Sequence, residues 1–232
     1  RVLLARAICQ EPDLILLDEP TSFLDIRHKL DLLSILRNMA KKKGITVVTS
    51  LHEIDLAMKF SDKILCVKGD HIAYYGEPDQ IFEDSLIRDL YGIDNGYFDT
   101  TFGSIELPAP QGEPKTLVIS SGGSGIPLYR KLQKEQKPFA AGILYENDID
   151  YQLARLLAAE VITEEPFEEL SDASIQKALE WVNKVEQVLA AEFAIGSSNR
   201  RIREVLDKAE KLQKLRYIGK TDFTDCLDNY EL

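Results

Sequence analysis

Apolar positions in the first hundred residues switch between two periods. Residues 1–8 (Arg1-Val2-Leu3-Leu4-Ala5-Arg6-Ala7-Ile8) carry them at helical spacing up to Gln10-Glu11-Pro12, where a residue ahead of proline is pushed out of helical geometry. Leu14-Ile15-Leu16-Leu17 is an unalternating apolar run, stopped by Asp18-Glu19-Pro20. Such a run predicts a strand covered on both faces, the mark of a parallel sheet. Residues 27–43 place Leu30, Leu33, Leu36 and Ala40 at helical spacing and close with Lys41-Lys42-Lys43 and Gly44. That ending suits a helix C-terminus by dipole and by cap. Residues 45–49 predict a β-branched strand ending at Ser50-Leu51-His52, residues 63–67 and 71–75 a hairpin, and residues 81–90 a short helix.

Between 98 and 115 the chain turns rich in Gly, Pro and Thr, with Pro108, Pro110 and Pro114 close together, which predicts a linker. The pattern then restarts. A strand at 116–120 leads through a glycine-rich turn into a helix ending near 135, followed by a strand at 139–144. A helix at 148–159 and a strand at 160–163 come next. Two longer helices, 172–191 and 198–215, complete it, with a strand at 192–195 between them. Trp181, with Leu179, Val182, Val185 and Leu189, is expected on the core face of its helix. Strands alternating with helices predict two α/β regions, 1–98 and 116–232, joined by the linker at 99–115.

Composition narrows the class. The chain has 232 residues, 44% hydrophobic and 29% charged, which excludes low-complexity disorder and collagen-like sequence. The formal net charge of −11 argues against a nucleic-acid surface. No apolar run approaches the roughly 18 residues needed to span a bilayer. Cys9, Cys66 and Cys226 are few and far apart, the pattern of reduced thiols in a cytosolic protein. The opening is already helical, with no initiator Met and no N-cap candidate, so a chain cut from a longer one is expected.

The strongest chemical signal is Leu14-Ile15-Leu16-Leu17-Asp18-Glu19-Pro20-Thr21-Ser22-Phe23-Leu24-Asp25. Ligands of open α/β sheets sit beyond the carboxyl ends of the strands. Two adjacent carboxylates delivered there suit a hydrated Mg²⁺, with Asp18 as anchor, and an activated water, with Glu19 as the orienting or deprotonating group. The same triplet also serves as a plain polar strand exit.

This stretch resembles the Walker B motif and D-loop of ATP-binding-cassette (ABC) ATPases, and the likeness extends in order on both sides. Residues 1–7 resemble the helix after the family's Leu-Ser-Gly-Gly-Gln signature. Ser22-Phe23-Leu24-Asp25 resembles the D-loop, with Phe23 where Ala is commoner. Val47-Val48-Thr49-Ser50-Leu51-His52-Glu53 resembles the strand and switch histidine. The resemblance implies the C-terminal portion of a P-loop NTPase sheet. It implies ATP as substrate, Mg²⁺ on Asp18, and Glu19 and His52 acting on water and γ-phosphate. Ser22 and Asp25 would couple two sites across a dimer with a second ATPase subunit. His28 and His71 have no such support and are expected at the surface.

Residues 61–69 and 72–82 resemble the hairpin and helix of transporter subunits. Ser85-Leu86-Ile87-Arg88-Asp89-Leu90-Tyr91-Gly92-Ile93 resembles importers of ferric siderophores, haem and cobalamin. Such a subunit would lie at the inner face of the cell membrane, docked on separate permease chains. A non-transport ABC ATPase is the alternative. No Gly-x-x-x-x-Gly-Lys-Ser/Thr phosphate loop occurs in the 232 residues, so these residues alone are expected to be inactive toward ATP.

The second region is expected to be a Rossmann-like α/β domain. Its turn Gly122-Gly123-Ser124-Gly125 precedes a helix whose N–H groups could face an anion, although a tight connection needs the same glycines. Asn147 and Asp148 follow one strand, and Ser197 and Arg200 follow another. If these turns share a sheet edge they would line one crevice; otherwise Asn147, Asp148 and Ser198 serve as helix caps. Three roles are compatible with this region: a small-molecule regulatory domain, a fused nucleotide- or phosphate-binding enzyme, and a dimer-stabilising module.

Overall fold

The computed structural model describes residues 2–82, 84–92, 96–99 and 101–219; Arg1, Ile93 and Cys226 lie outside them. The chain divides into two compact units, Arg1–Asp94 with Phe98–Ile105, and Asn95–Tyr97 with Glu106–Leu232.

The first unit begins with α1 (Val2–Ile8), β1 (Leu14–Leu17), α2 (Ile26–Lys43), β2 (Thr46–Thr49) and α3 (Ile54–Phe60). Strands β1 and β2 pair in parallel, Leu14 opposite Thr46 through Leu17 opposite Thr49. Helix α2 starts where the Asp25 carboxylate accepts from His28 N–H at 2.9 Å and stops where Gly44 turns left-handed at φ 68°. Its buried stripe is Leu33, Leu36 and Met39, whereas Leu30 is 40% exposed. The stripe therefore keeps Leu33 and Leu36 of the helically spaced set and leaves Leu30 outside it. Leu33, Leu36 and Leu56 of α3 pack with Leu17 and Val47, covering one side of the β1–β2 pair.

The other side departs from expectation. Leu14 is 50%, Leu16 69% and Val48 44% exposed, while Ile15 is buried. Strand β1 thus alternates in burial although its sequence does not, because among the described residues helices cover only one face of the pair.

The unit continues with β3 (Ile64–Lys68) and β4 (His71–Gly76), an antiparallel hairpin as expected. Then come α4 (Pro78–Ile81) and α5 (Asp84–Tyr91). The single helix expected at 81–90 is thus two. Glu77 and Gln80 form a reciprocal capping box around Pro78, and α4 closes after one turn. Ile64, Cys66, Ile81, Phe82, Ile87 and Phe98 form a small core beneath the hairpin. Within the segment expected as a linker, β5 (Tyr97–Asp99) pairs with β6 (Ser104–Glu106).

The second unit is β7 (Thr116–Ile119), α6 (Ile126–Lys134), β8 (Phe139–Tyr145), α7 (Ile149–Leu157), β9 (Glu160–Glu164), α8 (Asp172–Lys184), β10 (Gln187–Ala191), α9 (Ile202–Lys211) and β11 (Leu215–Ile218). All five strands are parallel in the order β11-β10-β7-β8-β9. The order reverses between β7 and β10, so this is a doubly wound sheet with its switch point there.

Three expectations fail in this unit. The helix expected at 172–191 ends at Lys184, and Gln187–Ala191 is a wholly buried central strand. Residues 192–195 then form a connection rather than a strand. The helix expected to reach 215 stops at Lys211, leaving Leu215–Ile218 as an edge strand. In both places an apolar run compatible with either element is claimed by a slot in the sheet, since unpaired backbone cannot be buried there. Leu189 consequently lies on β10, while Val182 and Val185 join the core and Trp181 and Leu179 pack against its margin.

Candidate functional site

In the first unit the parallel register brings β1 and β2 to a common end, Leu17 opposite Thr49. Ser50 N–H donates to Leu17 O at 3.0 Å, extending the ladder by one residue. Asp18 and Glu19 leave β1 beside Ser50, Leu51 and His52. His52 Nε2 lies 2.6 Å from Glu19 Oε1. Ser22 Oγ donates to the other Glu19 oxygen at 3.0 Å. Ser50 Oγ donates to Asp18 Oδ1 at 2.8 Å and accepts from Glu19 N–H at 2.7 Å. The expected chemical residues Asp18, Glu19, Ser22 and His52 are therefore one cluster, drawn from the exits of both strands.

The electrostatics follow from the pairing. The hydrogen bond from His52, then the one from Ser22, hold the Glu19 carboxyl below the usual glutamate value, while the bond to Glu19 lifts the His52 imidazole. Both groups are exposed, so the pair is a solvated, breakable contact. Glu19 has a left-handed backbone at φ 43°, unusual for a side-chain-bearing residue and common where function constrains geometry.

Asp25 sits apart from this cluster as the N-cap of α2 and pairs with His28 Nδ1 at 2.8 Å. Phe23, at the loop apex, is fully exposed with φ 64°. Cys66 is buried and Cys9 exposed, both as free thiols.

Four contributors were not legible beforehand. Thr21, only 2% exposed, donates to Glu53 Oε2 at 3.1 Å, and Lys29 of α2 pairs with Glu53 Oε1. This brace ties the loop after β1 to the loop after β2. Ser50 is the fourth. A hydroxyl two residues ahead of a histidine is the only sequence signal it offers.

The donor chemistry suits magnesium better than a transition metal. Asp18 offers hard carboxylate oxygen in an exposed position, as a cation that keeps its waters requires. Among the described residues no group of three or more His, Cys, Asp or Glu could hold a metal by itself. Magnesium would therefore arrive with phosphate oxygens as further ligands.

In the second unit the turns after β10, β7 and β8 share one sheet edge, because those strands are parallel neighbours. Gly122 and Gly123 adopt left-handed backbones at φ 65° and 89°. The amides of Gly122 and Gly125 are directed inward to carboxylates. Gly122 N–H donates to Asp148 at 3.0 Å, and Gly125 N–H to the buried Asp150 at 3.0 Å. Ser121 Oγ also donates to Asp148, at 2.6 Å, and Asp148 caps α7 through Asp150 N–H. Burial pushes the Asp150 carboxyl up, against the lowering effect of its hydrogen bonds. Ser124 closes its own turn through Ser121 O at 2.9 Å.

At the β10 exit Asn199 stitches the connection, accepting from Gly196 N–H and donating to Ala194 O; Ser197 lies between. Arg200 lies 3.4 Å from Glu169, and Arg201 pairs with Asp172 and Glu204. Asn147, at the β8 exit, is exposed. The candidate residues of this unit thus share an edge, with carboxylates in the positions where an anion would dock.

Comparisons with known proteins agree with the first unit's motifs. The chain is 36% identical over 145 residues to an uncharacterized ABC transporter ATP-binding protein of Methanocaldococcus jannaschii, covering 62% of this chain and 50% of that one. It is 29% identical over 185 residues to a cobalamin import ATP-binding protein of Halobacterium salinarum, covering 77% and 46%. A hemin import ATP-binding protein of Rhodopseudomonas palustris is 46% identical over 82 residues, covering 35% and 30%. Its homologues are therefore ATP-binding subunits of ABC transporters, and the chain spans about half the length, or less, of the relatives it matches. Residues 139–230 match the MJ0874 family. The 185-residue similarity is longer than the first unit, so it runs on into the second.

Proposed function

We propose that this chain supplies the water-activating half of an ATPase site in an importer of iron–siderophore, haem or cobalamin-like cargo, and carries a regulatory α/β unit behind it. The observation that carries the reading is the 2.6 Å contact between Glu19 and His52 at the end of a parallel β1–β2 pair. The cobalamin- and hemin-importing relatives support the cargo class.

In this reading Asp18 anchors a hydrated magnesium that neutralises phosphate charge. Glu19 orients and deprotonates the attacking water, and His52 moves from Glu19 to the γ-phosphate. Phosphoryl transfer depends chiefly on positioning and charge neutralisation, so this short list of groups suffices when a phosphate loop completes the site. The sequence contains no Gly-x-x-x-x-Gly-Lys-Ser/Thr loop, so these 232 residues alone do not hydrolyse ATP. Partners are a second ATPase subunit, with Ser22 and Asp25 coupling the two sites, and transmembrane permease chains. The described residues include no helix long and apolar enough to cross a membrane, which fits a peripheral subunit at the inner face.

The second unit regulates the ATPase by binding a small ligand at the switch-point edge lined by Gly122, Gly123, Ser124, Gly125, Asn147, Asp148, Ser197 and Arg200. Asp148 and Asp150 occupy the loop amides, which favours a neutral or cationic ligand over a phosphate.

The test places these residues with a phosphate loop in one ATPase. Glu19→Gln there lowers turnover by roughly 10²–10⁴-fold while ATP still binds. Near-normal turnover in that variant removes Glu19 from its role, and ATP hydrolysis by the 232 residues alone removes the requirement for the loop.

A further inference from the structure

The hydroxyl of Ser50 lies between the two carboxylate residues and engages both. We propose that Ser50 is a positioning residue for the Asp18–Glu19 pair: its hydroxyl donates to Asp18 Oδ1 at 2.8 Å and accepts from the Glu19 amide at 2.7 Å. This deepens the ATPase reading above and rests on it for the catalytic consequence, though not for the structural one.

The geometry gives Ser50 a place no other side chain of the cluster has. Its own N–H donates to Leu17 O at 3.0 Å, so one residue holds three consecutive residues of the β1 exit, at a carbonyl, a carboxylate and an amide. A hydroxyl has one proton and free lone pairs, and here it uses both capacities at once. Its proton commits one oxygen of Asp18 and so fixes the plane in which the carboxylate meets a hydrated cation.

Its lone pair fixes the Glu19 amide. Glu19 has φ 43°, a conformation that costs a side-chain-bearing residue free energy and reverts when nothing holds it. The bond to Ser50 anchors that backbone, and the bonds to His52 and Ser22 then aim the side chain. Ser50 therefore acts through Asp18 and Glu19. Alanine loses both bonds, whereas threonine keeps the hydroxyl on a β-branched frame that suits the residue after a strand.

The test compares Ser50→Ala and Ser50→Thr in the 232-residue chain and in the completed ATPase. Amide hydrogen exchange followed by NMR reads the first. In Ser50→Ala the Glu19 amide exchanges about 5–20-fold faster, the loss of a hydrogen bond worth about 1–1.8 kcal/mol. The Ser50 amide, bonded to Leu17 O, keeps its rate, and Ser50→Thr restores Glu19 to within about 2-fold. An unchanged Glu19 rate in Ser50→Ala overturns the proposal. So does an equal loss of protection at both amides, which marks local melting.

In the completed ATPase, Ser50→Ala lowers kcat about 10-fold with KM for ATP unchanged, and Ser50→Thr recovers it. A drop in KM-dependent binding alone overturns the catalytic role. If Glu19→Gln also leaves kcat intact, the ATPase reading has failed, while the exchange result still decides the structural one.

Discussion

His52 Nε2 and Glu19 Oε1 are 2.6 Å apart across the exits of two parallel strands, and each shifts the titration of the other. A raised imidazole stabilises the fold while charged and loses that contribution as pH rises through its folded value. A lowered carboxylate loses its contribution as pH falls through its own. The pair therefore stands between a point below the ordinary 4.5 of glutamate and a point above the ordinary 6.5 of histidine. Glu53 and Asp18 also face His52 and add to the upward shift. NMR titration of the three histidines should place His52 above 6.5, with Glu19→Gln bringing it down; a midpoint at or below 6.5 contradicts the pairing.

The brace of Thr21, Lys29 and Glu53 should matter for stability. Glu53→Ala leaves the Lys29 ammonium and the buried Thr21 hydroxyl without their acceptor, which costs about 1–3 kcal/mol. Glu53→Gln keeps an acceptor for Thr21 and costs about half as much. Urea unfolding monitored on the first unit measures both, and equal losses for the two variants contradict the shared role.

Gly125 illustrates a glycine required by close approach. A Cβ there would lie 2.6 Å from the Tyr129 ring, beside the Ser120 hydroxyl that Tyr129 bonds. Gly125→Ala should lower the stability of the second unit by about 1–3 kcal/mol through overpacking. Gly196, with no atom within 4 Å of a built Cβ, is the control, and its alanine variant should stay within about 0.5 kcal/mol.

Inorganic phosphate and nucleotides should not protect the second unit. Asp148 and Asp150 accept from the amides an anion would need, and their charge repels it. Thermal unfolding of the full chain with millimolar phosphate or ATP should shift by less than about 1 °C, since stabilisation requires a ligand well above its Kd. A shift of several degrees reinstates the phosphate-binding alternative.

Asp18 and Glu19 could be singled out as candidates because a short apolar run ending in Asp18-Glu19-Pro20 places two carboxylates at the exit of a strand, and the fold puts them there. His52 was legible by its distance from that run. Ser50, Thr21 and Glu53 were not, because their roles depend on the pairing of Leu17 with Thr49, and register between two distant strands is not written in either strand alone. The helix–strand boundary at Val185 had the same origin. Residues 185–191 continue an apolar pattern compatible with a helix, and only the slot between β7 and β11 makes Gln187–Ala191 a strand. At β1 the sequence showed what the strand could bury, and the fold showed that one face remains in water.

That bare face bears on how these 232 residues behave in a tube. Leu14, Leu16 and Val48 on one short sheet, and Leu65, Val67, Ile72 and Tyr75 on the hairpin, present oily surface to solvent. Patches of this kind adhere to whatever chain comes near. A preparation of these 232 residues is therefore expected to self-associate as its concentration rises, and a mild detergent to keep it clear.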